Sequence, residues 1–192
     1  MEIAALVLSV IAVGISALTF YRNHRRADMK LIPRGSGPPA YWLTWRRQGM
    51  LTLLYIRLPI VVVNDGGRSG AFIDGRLYVP DEWTDGRPLE LNEYYPDLGS
   101  GDGTFAHPFH IGPGAAETRF AQFKVELPPD FTPGLDVGIF NLRMQARTSS
   151  RPTWHDAWTF ELEIDLRSIG GMSEATRNIH WNPAGRGSVP LI

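Results

Sequence analysis

Cysteine is absent from the 192-residue chain, which excludes disulfides, thiolate chemistry, Cys-ligated zinc and a lipoprotein anchor. Lysine is almost absent. Lys30 and Lys124 are the only two among 19 basic residues, a bias that reads as GC-rich bacterial codon usage and not as a binding signal. The net charge of −1 gives no global reason to expect nucleic acid. No Asn-x-Ser/Thr acceptor occurs, and no Gly-rich stretch ends in Lys-Ser/Thr as a phosphate loop would. Gly67-Arg68-Ser69-Gly70-Ala71 approaches the elbow of nucleophilic hydrolases. Ala71 stands where the last glycine belongs, however, and no strand-to-helix context surrounds it. The stretch from Asp97 to Gly103 resembles a calcium loop, but its third and fifth positions lack ligand oxygens. His107 and His110 are the one close histidine pair. Zinc would need a third ligand, such as Asp102, Glu117 or His155, and the sequence fixes none. No catalytic residue, cofactor or metal ligand is therefore assigned.

What is present is a normal globular composition, 43% hydrophobic and 20% charged, with apolar side chains enough for one core. Twenty glycines and fifteen prolines favour many turns and argue against a helical bundle.

Residues 3–20 carry no charge, and ten of these 18 residues are Leu, Ile, Val or Phe. As a helix they would span roughly 27 Å, close to a hydrocarbon core of about 30 Å. A cleaved signal peptide fits less well, because no basic residue precedes the run and no Ala-x-Ala step ends it. Residues 1–21 are thus expected to be a single-pass transmembrane anchor in the cell (inner) membrane. Arg22, Arg25, Arg26 and Lys30 follow it against one acid, Asp28, while Glu2 precedes it. The positive-inside rule then leaves the N-terminus outside and the following domain in the cytoplasm. Those four bases are also candidates for contact with anionic lipid headgroups. Ala5, Ser9, Ala12 and Ser16 share one helical face, where small side chains would let a second helix pack closely.

Residues 22–40 read as a basic juxtamembrane segment and a linker broken by Pro33, Gly35, Gly37, Pro38 and Pro39. Strand patterns fill residues 41–168. A β-branched run from Ile60 to Val63 ends at the turn Asn64-Asp65-Gly66-Gly67. Residues 71–79 suit one strand with Ile73, Leu77 and Val79 inward, or a hairpin across Asp74-Gly75. Three later segments alternate with period two. Ala121, Phe123, Val125 and Leu127 mark the first. Phe140, Leu142, Met144 and Ala146 mark the second, and Phe160, Leu162, Ile164 and Leu166 the third. Such alternation predicts antiparallel strands with one buried face. The expected core includes Leu53, Ile60, Val62, Ile73, Val125, Phe140, Leu142, Phe160, Leu162 and Ile164.

Three features carry a resemblance. They are Val61-Val62-Val63-Asn64-Asp65-Gly66, the Ile111-Gly112-Pro113-Gly114 turn before the Arg119 strand, and a Pro-Gly turn before the Leu135 strand. Together they resemble cysteine-free bacterial immunoglobulin-like β-sandwiches. The resemblance implies an all-β, Ig-like antiparallel sandwich over 41–168 and a binding or scaffolding role. It carries over no functional residue. Residues 169–192 read as a C-terminal tail.

Between 80 and 117 the alternation lapses, leaving a long loop in which Leu89 to Tyr95 has room for one or two helical turns. Seven acids and one base lie between Pro80 and Phe105, against eight bases and one acid between Arg22 and Arg57. Arg46, Arg47 and Arg57 read as solvated strand-face residues. The acidic loop and its aromatics form the expected protein-partner surface, through Trp83, Tyr94, Tyr95, Asp81, Glu82 and Glu93. The expected function is a membrane-tethered, non-catalytic binding or scaffold module with the bilayer and a protein as partners and no nucleic acid. Its rivals are an accessory subunit packing through its helix and a membrane-bound hydrolase or metal enzyme using a His/acid cluster.

Overall fold

A computed structural model describes residues 2–32, 41–98, 100–131, 138–164 and 176–181. The chain begins with α1 (Glu2–Arg25). Within it an 18-residue window, Ala4–Tyr21, is long and apolar enough to cross a membrane, and none of that window is buried. Two of its hydroxyls are bonded within the helix. Ser9 Oγ donates to the Leu6 carbonyl and Thr19 Oγ1 to the Ile15 carbonyl, each at 2.8 Å.

The remainder is antiparallel sheet: β1 (Met29–Ile32), β2 (Tyr41–Gln48), β3 (Leu51–Asn64), β4 (Gly70–Tyr78), β5 (Leu89–Tyr95), β6 (Thr104–Phe105), β7 (Phe109–Ile111), β8 (Ala116–Leu127), β9 (Gly138–Thr148), β10 (His155–Ile164) and β11 (Thr176–Trp181). A short helix, α2 (Asp81–Thr84), precedes β5. Hydrogen bonding runs continuously in the order β10-β9-β4-β5-β8-β3-β2-β11. β1 sits on the same edge of β3 as β2, opposite Val61 to Asn64, while β2 covers Leu51 to Arg57. β1 and β11 thus lie in stretches that read as linker and tail.

The sheet bends back on itself at β5. That strand pairs with β8 from Glu90 to Tyr95 but with β4 only at Leu89 and Glu90. The inner face of β4 then meets the inner face of β8. A Cβ on Gly75 would lie 3.2 Å from the Phe72 ring and 3.5 Å from that of Phe123. The core between the layers contains Leu54, Ile56, Leu58, Ile60, Val62, Phe72, Leu77, Phe123, Leu142, Met144, Phe160 and Leu162. Mostly β and antiparallel, the fold is close to a closed barrel.

The three period-two segments are strands with the expected inner faces, except that Leu166 lies outside the described residues. Phe140 is only half-buried. β4 differs from expectation in its inward set. Phe72 and Leu77 are both fully buried although they stand an odd distance apart, five positions, while Ile73 and Val79 are half-buried. A bulge between Phe72 and Asp74 inserts the extra residue and flips the pleat. No hairpin forms at Asp74-Gly75; the strand runs through.

The segment from 80 to 117 is likewise ordered into α2, β5, β6, β7 and the start of β8. Leu89 to Tyr95 is a strand and not helical turns. Leu89 and Tyr94, both buried, again stand an odd distance apart, with a bulge between Leu91 and Glu93. Such bulges erase the sequence alternation while the ladder persists.

Asn64 locks the end of β3. Fully buried, its Nδ2 donates to the carbonyls of Arg68 (2.7 Å), Ile111 (3.0 Å) and Gly112 (3.2 Å). Its Oδ1 accepts from the backbone N–H of Asp28 and Gly66. A Cβ at Gly66 would lie 2.2 Å from the Arg26 carbonyl oxygen, so glycine is what lets the turn touch the post-helix segment.

Candidate functional site

On β3 the residues alternate, yet both faces are covered. Leu54, Ile56 and Leu58 point into the core, and Tyr55 and Arg57 point outward but are only 9% and 5% exposed. A charged group so deeply covered on the outer face needs polar partners to offset lost hydration. The register supplies them. Arg57 lies between Trp42 on β2 and Gln122 on β8, and Gln122 faces Glu93 on β5. The next row runs Thr44, Tyr55, Lys124. Arg46 lies one row further along β2, opposite Leu53.

The Arg57 guanidinium carbon is 3.3 Å from the centroid of the Tyr95 ring and 4.9 Å from that of Trp42. Desolvated cation–π contacts of this kind contribute about 2 kcal/mol. Nη1 donates to the carbonyls of Leu98 and Ser100, both at 2.8 Å, and Nη2 to Gln122 Oε1 at 3.1 Å. Nε is buried with no hydrogen-bond partner among the described residues. No carboxylate there comes within ion-pair distance of this cation. Burial lowers the Arg57 pKa, against the opposing influence of Tyr95, Glu93 and Asp97.

Glu93 is engaged elsewhere: the Tyr95 hydroxyl donates to it in a short contact, and Gln122 Nε2 donates to it at 3.2 Å. Burial, and then the bond to Glu93, raises the Tyr95 pKa. The connection from β5 to β6 closes over this group as a flap. Asp97 Oδ1 accepts from the Ser100 N–H at 2.6 Å and Ser100 Oγ from the Asp102 N–H at 3.2 Å, so Asp97 serves the turn. A Cβ at Gly103 would lie 2.5 Å from Tyr95 Cζ, which is why glycine stands where the flap crosses the ring.

Between flap and sheet lies a cleft of about 700 Å³. That volume is within the usual range for small-molecule sites. Its walls combine aromatic faces, side-chain amides and three cations, Arg46, Arg57 and Lys124, against the one acid Glu93. Phe105 stands at its mouth, 82% exposed.

The residues expected to form the partner surface are not brought together. Trp83 is fully buried, edge-on to Phe140 at 4.8 Å between centroids. Tyr94, 4% exposed, packs against Phe109, and burial raises its pKa. Those two rings belong to the core and are not available to a partner. Asp81 and Glu82 are exposed on α2. Glu93 and Tyr95 face the cleft, on the opposite side of β5 from Tyr94.

Of the expected headgroup contacts, Lys30 is held between Asp28 (3.2 Å) and Asp65 (2.9 Å), and these bonds raise its pKa, Asp65 most. Arg26 is exposed, and the side chains of Arg22 and Arg25 lie outside the described residues. Ala5, Ser9, Ala12 and Ser16 are all exposed on α1. His107 and His110 are exposed too, and no three His, Asp or Glu side chains among the described residues gather as a metal site.

Sequence reasoning missed Trp42, Arg46, Arg57, Gln122 and Lys124 as one site. A signal did exist: Arg57 is the single charge inside the 14-residue apolar strand Leu51–Asn64.

Comparison with known proteins adds little. No protein-family model matches this chain, and no curated protein matches it. A crystal structure titled as an ApaA protein from Bordetella pertussis is similar at 14% identity and a TM-score of 0.33. It covers 73% of this chain and 96% of that one. A likeness of that size carries no argument.

Proposed function

We propose that this protein is a non-catalytic binding module, tethered to the inner membrane by α1, whose ligand enters the cleft between the outer sheet face and the flap of residues 96–98 and 100–103. The sheet, bent at β5 into two facing layers, is read as an Ig-like sandwich. The observation that carries the reading is Arg57, a covered cation with an unpaired Nε in the wall of a concave, aromatic-lined cleft. Buried cations without a counter-charge are costly, and a bound anion offsets that cost. Charged residues flanking α1 support a cytoplasmic domain, with Arg22, Arg25 and Arg26 on the side that follows the helix.

Two arms test this reading. A C-terminal reporter active only in the periplasm is expected to stay silent in cells, with the uncleaved chain in the membrane fraction. A cleaved chain or an active reporter would overturn the tether. In the second arm, the full chain in polyoxyethylene micelles is titrated with AMP, an acidic tetrapeptide, a neutral sugar, an acidic sugar and a fatty acid. The Trp42 indole and Arg57 Nε–H nuclear magnetic resonances are followed. At least one probe is expected to shift both saturably; no shift with any probe would overturn the binding role.

A further inference from the structure

Resting on the reading of the cleft as a ligand site, we infer that its ligand is an acidic sugar: a pyranose ring bearing a carboxylate or phosphate. Three separate features of the cleft favour that class.

The first is charge. Arg46, Arg57 and Lys124 surround Tyr55 on three neighbouring strands. Lys124 is partly compensated by Glu126 at 2.7 Å. Arg46 forms no ion pair among the described residues and rests over the Tyr55 ring at 5.4 Å. Arg57 lines the same wall and adds its positive charge there, its Nη atoms held by the flap carbonyls and Gln122 and its Nε covered. The one acid on the lining, Glu93, is engaged by Tyr95 and Gln122. An oxyanion placed between Arg46 and Lys124 would gain charge-assisted hydrogen bonds from both and the attraction of the covered Arg57 charge beside them.

The second feature is the set of neutral polar groups. The side-chain amides of Gln48 and Asn92 line the cleft beside the cations. Amides of this kind donate and accept at once, as vicinal sugar hydroxyls require. A fatty acid would leave them unmatched.

Flat apolar surface is the third. Tyr55 forms part of the floor and Phe105 stands at the mouth, 82% exposed and free to cover the apolar face of a ring. Large rings so exposed contribute contact area with little loss of side-chain freedom.

The test uses the full chain in polyoxyethylene micelles, a detergent without sugar headgroups. Calorimetric titrations compare glucuronate and glucose 6-phosphate with glucose, and with acetate and inorganic phosphate as ringless anions. At least one of the two acidic sugars is expected to bind at least about tenfold more tightly than glucose and than its ringless counterpart. The tighter of the two identifies the anion as carboxylate or phosphate. Arg46→Gln and Phe105→Ala alter exposed side chains, so the fold is retained, and each is expected to weaken that binding about tenfold. Arg57→Gln is expected to abolish it, with circular dichroism confirming that the variant is folded. Binding no tighter than that of glucose or the ringless anions would overturn the inference, as would rim variants that bind like the parent. If AMP or the acidic peptide shifts Trp42 and Arg57 while both acidic sugars fail, the sugar class is wrong and the cleft reading stands. If no probe shifts them, both fall.

Discussion

The side-chain amide of Asn64 donates to the Ile111 carbonyl at 3.0 Å, joining the end of β3 to β7 across the top of the sheet. The same side chain holds the backbone of Asp28, so one buried residue ties the post-helix segment, a turn and a loop together. Asn64→Ala leaves three carbonyls and two N–H groups without these partners. It is expected to cost about 3 kcal/mol or more in chemical denaturation of the full chain. A loss below about 1 kcal/mol would mean that water replaces the side chain.

Trp83→Ala is expected to unfold the domain or cost about 3–5 kcal/mol, because the ring is fully buried against Phe140. Phe160→Ala belongs in the same range, while Phe140→Ala should cost less, since Phe140 is half-buried. Denaturation midpoints of the three variants give the order.

At Gly103 an added methyl meets the Tyr95 ring, so Gly103→Ala should move the flap and leave the core intact. The expected signature is an unfolding free energy unchanged to within about 1 kcal/mol and faster amide exchange across 96–103.

Alkaline pH should unfold the protein through its tyrosines. Tyr94 and Tyr95 both have raised pKa values, first through burial. Their neutral forms are favoured in the folded state. The stability linked to them is therefore complete below the unfolded tyrosine value of about 10 and is lost as pH rises beyond it. Absorbance at the phenolate band should show late ionisation coincident with loss of structure. Tyr95→Phe, which cannot ionise, should shift that unfolding to higher pH.

Much of the sheet was legible because Ala121 to Leu127, Leu142 to Ala146 and Phe160 to Ile164 keep strict alternation, and one buried face imposes it. Ile73 and the Leu89 to Tyr95 strand were misread because each contains or adjoins a bulge, which shifts the pleat without leaving a mark in composition. The cleft was hidden for a different reason. Trp42, Arg57, Gln122 and Glu93 come from four strands, and only the register puts them in one row. Arg57 alone, as an isolated charge in an apolar strand, was a visible cue. Trp83 and Tyr94 misled because a large aromatic among acids looks the same in sequence whether it faces solvent or the core.

The most direct measurement is hydrogen–deuterium exchange of the full chain in native membranes, with and without the small-molecule fraction of cytosol. The expected result is protection confined to residues 42–48, 55–57, 93–105 and 122–124, and lost in Arg57→Gln. Protection nowhere, or protection centred on Asp81 and Glu82 with the cleft unchanged, would contradict the cleft as the binding site.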